Sequence, residues 1–415
     1  MKIRAGFIPL VDCAVLVAAE RLGFAGKQGV DLHLKREATW ATIRDKLTIG
    51  RFQCAHLLAP MVVASQLQVG NPKAPLVAPF ALSMNGNGIS VSNAVHAEMA
   101  ALGAFDSDSD PGQKARTLAA IVRTRAEQGD PPLNFGMVYP FSSHNYQLRY
   151  WLASGGINPD ADVNLVVIPP PFVVDYLRDG HIDGFCVGAP WNTIGSVEGV
   201  SRLVVSASDL WHLAPEKVLG VREDWADGEP EALAALMRAL MDAARFCDEP
   251  ANRDDLARIL AEPDVMGLDK GTIADILSGH VDLAADRSAP IPDYLVFHRS
   301  AATFPWRSHA LWFYSQMVRW GQVALTPDMT AMAARSYRPD IYRRVFEGTD
   351  VDLPSANAKV EGAVAAEGPA GSTTGRLVLK RDGFFDERTF DPDHLESYIT
   401  GFRIRTAAAT DPLDD

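Results

Sequence analysis

Cys13 is the first residue whose type could carry chemistry. In the opening "MKIRAGFIPLVDCAVLVAAERLGF" it follows Asp12 at the predicted start of a helix, where free backbone N–H groups favour a thiolate and hence a nucleophile. No base motif is placed for it, and a buried, inert cysteine is the commoner outcome. The other cysteines, at 54, 186 and 247, are too scattered for a disulfide framework or a CxxC metal site. That usage fits a reducing compartment. Phosphate-loop, nucleophile-elbow and HExxH patterns are absent from the sequence, so an enzyme reading rests on Cys13 alone, and neither metal nor cofactor is expected.

The same stretch imitates an export signal, with Lys2 and Arg4 ahead of an apolar run and "LVDC" in the place of a lipid-attachment box. Asp12 charges the apolar core such a leader needs, and no small-x-small cleavage site follows. Alternation of Ile3, Ala5 and Phe7 with Lys2, Arg4 and Gly6 predicts a half-buried strand instead. Asp12 then serves as N-cap of the following helix. On this reading residue 1 already belongs to the folded protein, and a cytoplasmic location is expected.

The 415 residues suffice for two or more domains, and 47% hydrophobic with 22% charged residues is ordinary globular composition. No run approaches the roughly 18 apolar residues of a membrane span. With 39 basic against 52 acidic residues the formal net charge is -13, which argues against direct nucleic-acid binding.

Strand and helix signals alternate through the first half: "VDLHLKRE", the helix around Trp40, Ile43 and Leu47, then "QCAHLLAPMVVASQL". The grammar restarts at "LNFGMVYPF", where Ser142 or Ser143 caps a helix that stops at Gly155 and Gly156, followed by "VNLVVIPPP", "FVVDYLRDG" and "DGFCVGAPW". Such succession predicts parallel sheets covered by helices on both faces. Two units of this kind predict a two-lobed α/β architecture, with lobe I begun by residues 1–90 and lobe II formed by 91–204. Lobe I is completed by a mostly helical stretch, 205–353, in which Trp306, Trp312 and Trp320 pack. Residues 354–375, rich in Ala, Gly, Ser and Pro, predict a flexible linker before a tail at 376–415.

In this order, "REATWATIRDKL", "HLLAP", "NGNGISVS", "HNYQLRYWLASGGINPDADV", "VIPPP", "DGFCVGAPWN", "PEKVLGV" and "FFDERTFDP" resemble the nitrate- and bicarbonate-binding proteins of bacterial ABC transporters, the NrtA/CmpA-like family. The resemblance implies a type II periplasmic-binding-protein fold with the ligand in the cleft between two lobes. Within the family, the absence of a leader is similar to the cytoplasmic nitrate sensors of the NasS kind. Those sensors hold an ANTAR-type, RNA-binding antiterminator (NasT-like) until nitrate or nitrite arrives. Two readings follow: a sensor that releases such a partner, or the nitrate-binding subunit of a transporter.

Carried over motif by motif, the resemblance implies that nitrate is held by Trp40, Asn87, His144 and Lys217, supported by His56, Ser143 and Trp191. Nitrate is a small anion that only accepts hydrogen bonds, so it needs cationic or N–H donors in a dry pocket. Lys217 at the cleft mouth suits such an anion, whereas bicarbonate carries a hydroxyl that calls for an acceptor such as a carboxylate. Two positions depart from the family pattern: Asn87 stands where glutamine is common, and Ala189 where an acidic residue often occurs.

Overall fold

A computed structural model describes residues 1–70, 74–106, 110–284 and 287–406. The end of the expected tail, 407–415, lies outside the described residues. Ten strands organise the chain: β1 (Lys2–Phe7), β2 (Asp31–Arg36), β3 (Cys54–Leu58), β4 (Leu76–Asn85), β5 (Asn87–Ser92), β6 (Asn134–Met137), β7 (Asn164–Val167), β8 (Gly184–Gly188), β9 (Ser201–Ser206) and β10 (Pro215–Arg222).

These strands form two sheets, one per lobe. The first runs Leu295–Val296, β4, β10, β3, β1, β2, and the second β7, β6, β8, β5, β9. Neither is purely parallel, contrary to the expectation. β1 pairs in parallel with β2 and β3, and β6 with β7 and β8. By contrast β10 lies antiparallel between β3 and β4, and β5 antiparallel between β8 and β9. The reason is that β5 and β10 are reached by crossing from one sheet to the other, which reverses the direction a βαβ connection would impose. Strand β10 also sits within the stretch read as mostly helical. "PEKVLGVR" is buried on both faces, so its apolar run lacks the alternation that marks a strand.

The chain changes lobe twice: at Asn85–Gly86, between β4 and β5, and between β9 and β10. Asn85 and Gly86 both take positive φ, 63° and 87°, a conformation that asparagine and glycine tolerate best. The two crossings are stitched together there. The Asn85 amide donates to the carbonyls of His212 and Asp293 at 2.8 Å each, and its Oδ1 accepts from Ala214 N–H at 2.8 Å.

Helix starts follow local chemistry. Thr39 Oγ1 accepts from Thr42 N–H (3.1 Å) to open α1 (Trp40–Thr48). Ser142, of the two serines considered, accepts from Asn145 N–H (3.0 Å) to open α2 (Ser143–Ser154), which ends at Gly155. Asp12 does not cap: it lies within a short 3-10 turn, Val11–Cys13, and makes no capping bond to the helix that follows. Leu233, Leu236, Met237 and Leu240 of the long helix Pro230–Asp248 share one face and a core with Val15, Leu16 and Ala19. Trp306, Trp312 and Trp320 are buried, as expected of that region.

Residues 354–375 are not a free linker. Their backbone pairs Pro354 with Ser372 and Glu361 with Phe390, and Glu361 is fully buried. Its carboxylate accepts from Ser308 Oγ (2.6 Å) and from the Lys359 ammonium, which also binds Asp382 at 2.5 Å. Beyond them Phe384 stacks on Trp211 with ring centroids 4.5 Å apart, and Tyr150 Oη on α2 donates to Asp386 Oδ2 (2.9 Å). Small and polar composition hid a segment anchored by a few buried charges rather than by apolar side chains.

Burial opposes ionisation of Glu361, but Lys359 and His309 overcome it and push the carboxyl down to about 2. A carboxyl held below its ordinary value stabilises the fold above that value, and the contribution fades as pH falls from there toward 2. We expect Glu361→Ala to lower the unfolding free energy by about 3 kcal/mol at neutral pH, since it strips partners from a buried ammonium. Denaturant titrations should show the gap closing as pH falls through about 4.5 to 2; an unchanged midpoint at pH 7 contradicts the anchoring.

Candidate functional site

The ends of six strands and the starts of two helices meet where the sheets face each other. Asp12 follows β1, Trp40 opens α1 after β2, and His56 lies in β3. Asn87 begins β5, His144 lies in the first turn of α2, Gly188 ends β8, and Glu216 and Lys217 begin β10. All the side chains are at most 2% exposed. Open α/β sheets gather ligand groups at strand ends and helix starts because side chains there escape the ladders and converge.

Lys217 is the centre. Its Nζ lies 2.7 Å from Asp12 Oδ2 and bonds Glu216 Oε1 on the other side, and it sits 5.4 Å from the centroid of the Trp40 ring. Glu216 and Lys217 are consecutive, and in a regular strand they would point to opposite faces. The pairing of β10 with β4 slips on both sides of Lys217, and such an irregularity re-aims side chains. Around this core, His56 Nε2 is 3.0 Å from Asp12 Oδ1. His144 Nε2 is 3.6 Å from Glu216 Oε1, and the Trp40 and His56 rings are 5.6 Å apart.

The charges are set by that geometry. Burial pulls the Lys217 ammonium toward neutrality, but Asp12 and Glu216 more than offset it and raise its pKa. Burial opposes ionisation of Asp12 too, yet Lys217 and His56 hold its carboxyl well below the usual range. Both histidines go the other way: burial lowers His56 and pushes His144 down to about 4, despite their acidic neighbours. At neutral pH the imidazoles are uncharged beside an ionised Lys217 and Asp12.

Four of the residues implied by the resemblance, Trp40, Asn87, His144 and Lys217, thus lie around one point, with His56 beside them. Ser143 is next to His144, buried, its hydroxyl unpartnered. Trp191 opens the helix Trp191–Val197; among the described residues no hydrogen bond or ring contact ties it to this group, and its indole N–H is unpartnered. Three expectations need correction. Lys217 is not at a cleft mouth but wholly enclosed. Asn87 does not offer donors: its Nδ2 bonds Glu216 Oε2 (2.6 Å) and Gln147 Oε1 (3.0 Å), both acceptors that fix the amide's orientation, leaving Oδ1 unpartnered. Carboxylates do stand beside the ammonium, so Lys217 alone does not select against an anion that carries a hydroxyl. Cys13, for its part, is buried, and burial with Asp12 nearby raises its thiol pKa, the opposite of nucleophile activation.

Asp12, Glu216, Gln147 and Gly188 were not foreseen. A cue existed for the first two: a carboxylate inside "IPLVDCAVL", or next to a lysine in an apolar strand, must find a partner if buried. Gly188 matters for what it lacks. A Cβ there would lie 3.3 Å from Asn87 Oδ1, 3.5 Å from Asp12 Oδ2 and 3.6 Å from His144 Nε2, so the bare backbone leaves a cradle ringed by these polar atoms. Among the described residues the indole N–H of Trp40 and both ring nitrogens of His144 have no hydrogen-bond partner, and buried groups of this kind are normally satisfied. An ammonium, an indole N–H and an imidazole gathered in one buried cluster are donor types that suit a small oxyanion.

Lys217→Glu would place three carboxylates in this dry site with no cation. We expect a loss of at least about 3–5 kcal/mol of stability, read as a collapse of the thermal unfolding midpoint by circular dichroism. A folded variant with the parent's midpoint contradicts the ion pairs described.

The NMT1-like family profile matches residues 1–261. The nitrate/nitrite binding protein NrtA of Synechococcus elongatus is 31% identical over 97% of this chain and 86% of its own length. The nitrate import ATP-binding protein NrtC of Synechocystis is 36% identical over 81% of this chain, which spans only 48% of NrtC. Among solved structures, the periplasmic nitrate-binding protein NrtA from Synechocystis superposes with a TM-score of 0.83 at 26% identity, covering 97% of this chain and 98% of that one. The fold is accordingly the two-lobed periplasmic-binding-protein fold that the resemblance implied.

Proposed function

The chain belongs to the NMT1-like family and is similar to the nitrate/nitrite binding proteins NrtA, and from that premise we propose that it binds nitrate or nitrite between its lobes as the binding component of an ABC-type transport system. The observation that carries this reading is the burial of Lys217, Trp40 and His144 in one cluster contributed by both lobes, with the His144 ring beside the Gly188 cradle. The match to NrtC suggests an ATP-binding transport component as partner. The NrtA relatives supply the choice of anion.

Lobe closure is the means. Asn87 and His144 of the second lobe meet Glu216 of the first, and Val11 N–H donates to Ala189 O across the same gap (2.9 Å). A ligand that bridges the lobes stabilises the closed form, and the partner reads closure. The finer reading, a cytoplasmic sensor that lets go of an antiterminator when the anion binds, uses the same closure with a different partner. It draws on the cytoplasmic expectation set by the opening residues, whereas the NrtA and NrtC relatives favour transport.

Titration calorimetry with nitrate, nitrite and bicarbonate tests the ligand. We expect heat from the first two, and an affinity about 5- to 150-fold weaker in Gly188→Ala, because overpacking a tight cradle costs about 1–3 kcal/mol. Tight bicarbonate binding with no response to nitrate would overturn the assignment.

A further inference from the structure

A buried ammonium held by two carboxylates is a poor attractant for an anion, because its charge is already spent. Asp12 and Glu216 carry two negative charges and Lys217 one positive. With both imidazoles uncharged, the site is therefore net negative before any ligand arrives. The polar atoms facing the Gly188 cradle repeat the point: Asn87 Oδ1 and Asp12 Oδ2 are acceptors, and His144 Nε2 is the one nitrogen among the three. A bare anion there would meet two lone-pair surfaces and add a second uncompensated charge to a dry site. A proton supplied with it offsets the added charge.

We propose that the protein takes up its anion together with one proton, which lodges on the His144–Glu216 pair. The proposal rests on the oxyanion reading above and concerns how that anion is accommodated. The 3.6 Å approach of His144 Nε2 to Glu216 Oε1 gives the proton two sites in reach of each other, so it belongs to the pair rather than to either residue. Protonation of His144 makes both ring nitrogens donors, Nε2 at the cradle included, and restores a net charge of zero before the anion is counted. The anion in turn supplies the negative charge that an imidazolium needs in a buried place, so each raises the affinity of the other by the same factor.

Every other titratable neighbour is accounted for. His56, on β3, faces Asp12 and is kept neutral by burial. Cys186 on β8, Cys13 after β1, Tyr294 and Tyr337 all feel these carboxylates, and burial raises each of their pKa values, so they remain neutral. Lys217 stays charged because both carboxylates hold its proton. Gln147 and Asn87 do not titrate. That leaves His144, 3.6 Å from Glu216 and beside the cradle, as the group whose protonation a bound anion favours.

Calorimetry with nitrate, in buffers of different ionisation enthalpy, counts the protons directly. We expect uptake of about one proton per nitrate and an affinity that weakens about tenfold per pH unit between about pH 6 and 8.5. Glu216→Gln keeps an acceptor for Lys217 but removes one charge. It should abolish the uptake, flatten the pH dependence and bind nitrate at least about tenfold tighter than the parent at the alkaline end. Nitrate binding by the parent that is independent of pH and of buffer overturns the proton coupling while leaving the ligand assignment intact. Uptake that persists in Glu216→Gln overturns the placement on the pair. No nitrate binding at any pH removes the assignment itself and the coupling with it. The parent measurement needs no variant to fold.

Discussion

The enclosure of one ammonium between two carboxylates is the constraint on which the rest of this molecule depends. Desolvating Lys217, Asp12 and Glu216 together is costly, and only close pairing makes it tolerable. That pairing dictates where three otherwise distant pieces of chain must stop: the turn after β1, the start of β10, and, through Asn87 and His144, the faces of the second lobe. The mixed direction of both sheets follows from the same demand, since β10 must arrive antiparallel beside β3 to bring residues 216 and 217 to the strand ends where Asp12 waits. A set of parallel βαβ units would have put that end of the strand on the opposite side.

Much of both lobes could be read from sequence because their strands and helices follow simple rules: alternation in β1, a threonine cap before Trp40, a serine cap before His144. What resisted were the residues whose local pattern and final environment disagree. Asp12 looks like a cap because it precedes an apolar helical run, and nothing nearby in sequence announces a lysine some two hundred residues on. "PEKVLGVR" looks unlike a strand because both of its faces are covered. Residues 354–375 look unstructured because their anchoring comes from Glu361 and Asp382, charges whose partners are visible only in three dimensions. Motif likeness placed Trp40, Asn87, His144 and Lys217 around one point but said nothing of their protonation or of which amide atom faces the cradle.

The two histidines show how similar surroundings can be put to different use. Each lies against one carboxylate, and each is kept uncharged by burial. His56 faces an Asp12 already committed to Lys217 and packs its ring against Trp40, so it braces the wall. His144 sits in the first turn of a helix, opposite Glu216, which Lys217 and the Asn87 amide both bind, and beside the cradle.

The positive-φ pair at Asn85–Gly86 has a consequence for how the lobes part. Displacement in a rotation grows with distance from its axis, and Asn87 stands only one residue beyond this pivot, with Gln147 of α2 held against it at 3.0 Å. A swing about that point carries the edge strand β7 through the longer arc and moves Asn87 least. The hydrogen bond from the Asn87 amide to Glu216 then behaves as the pin of a clasp.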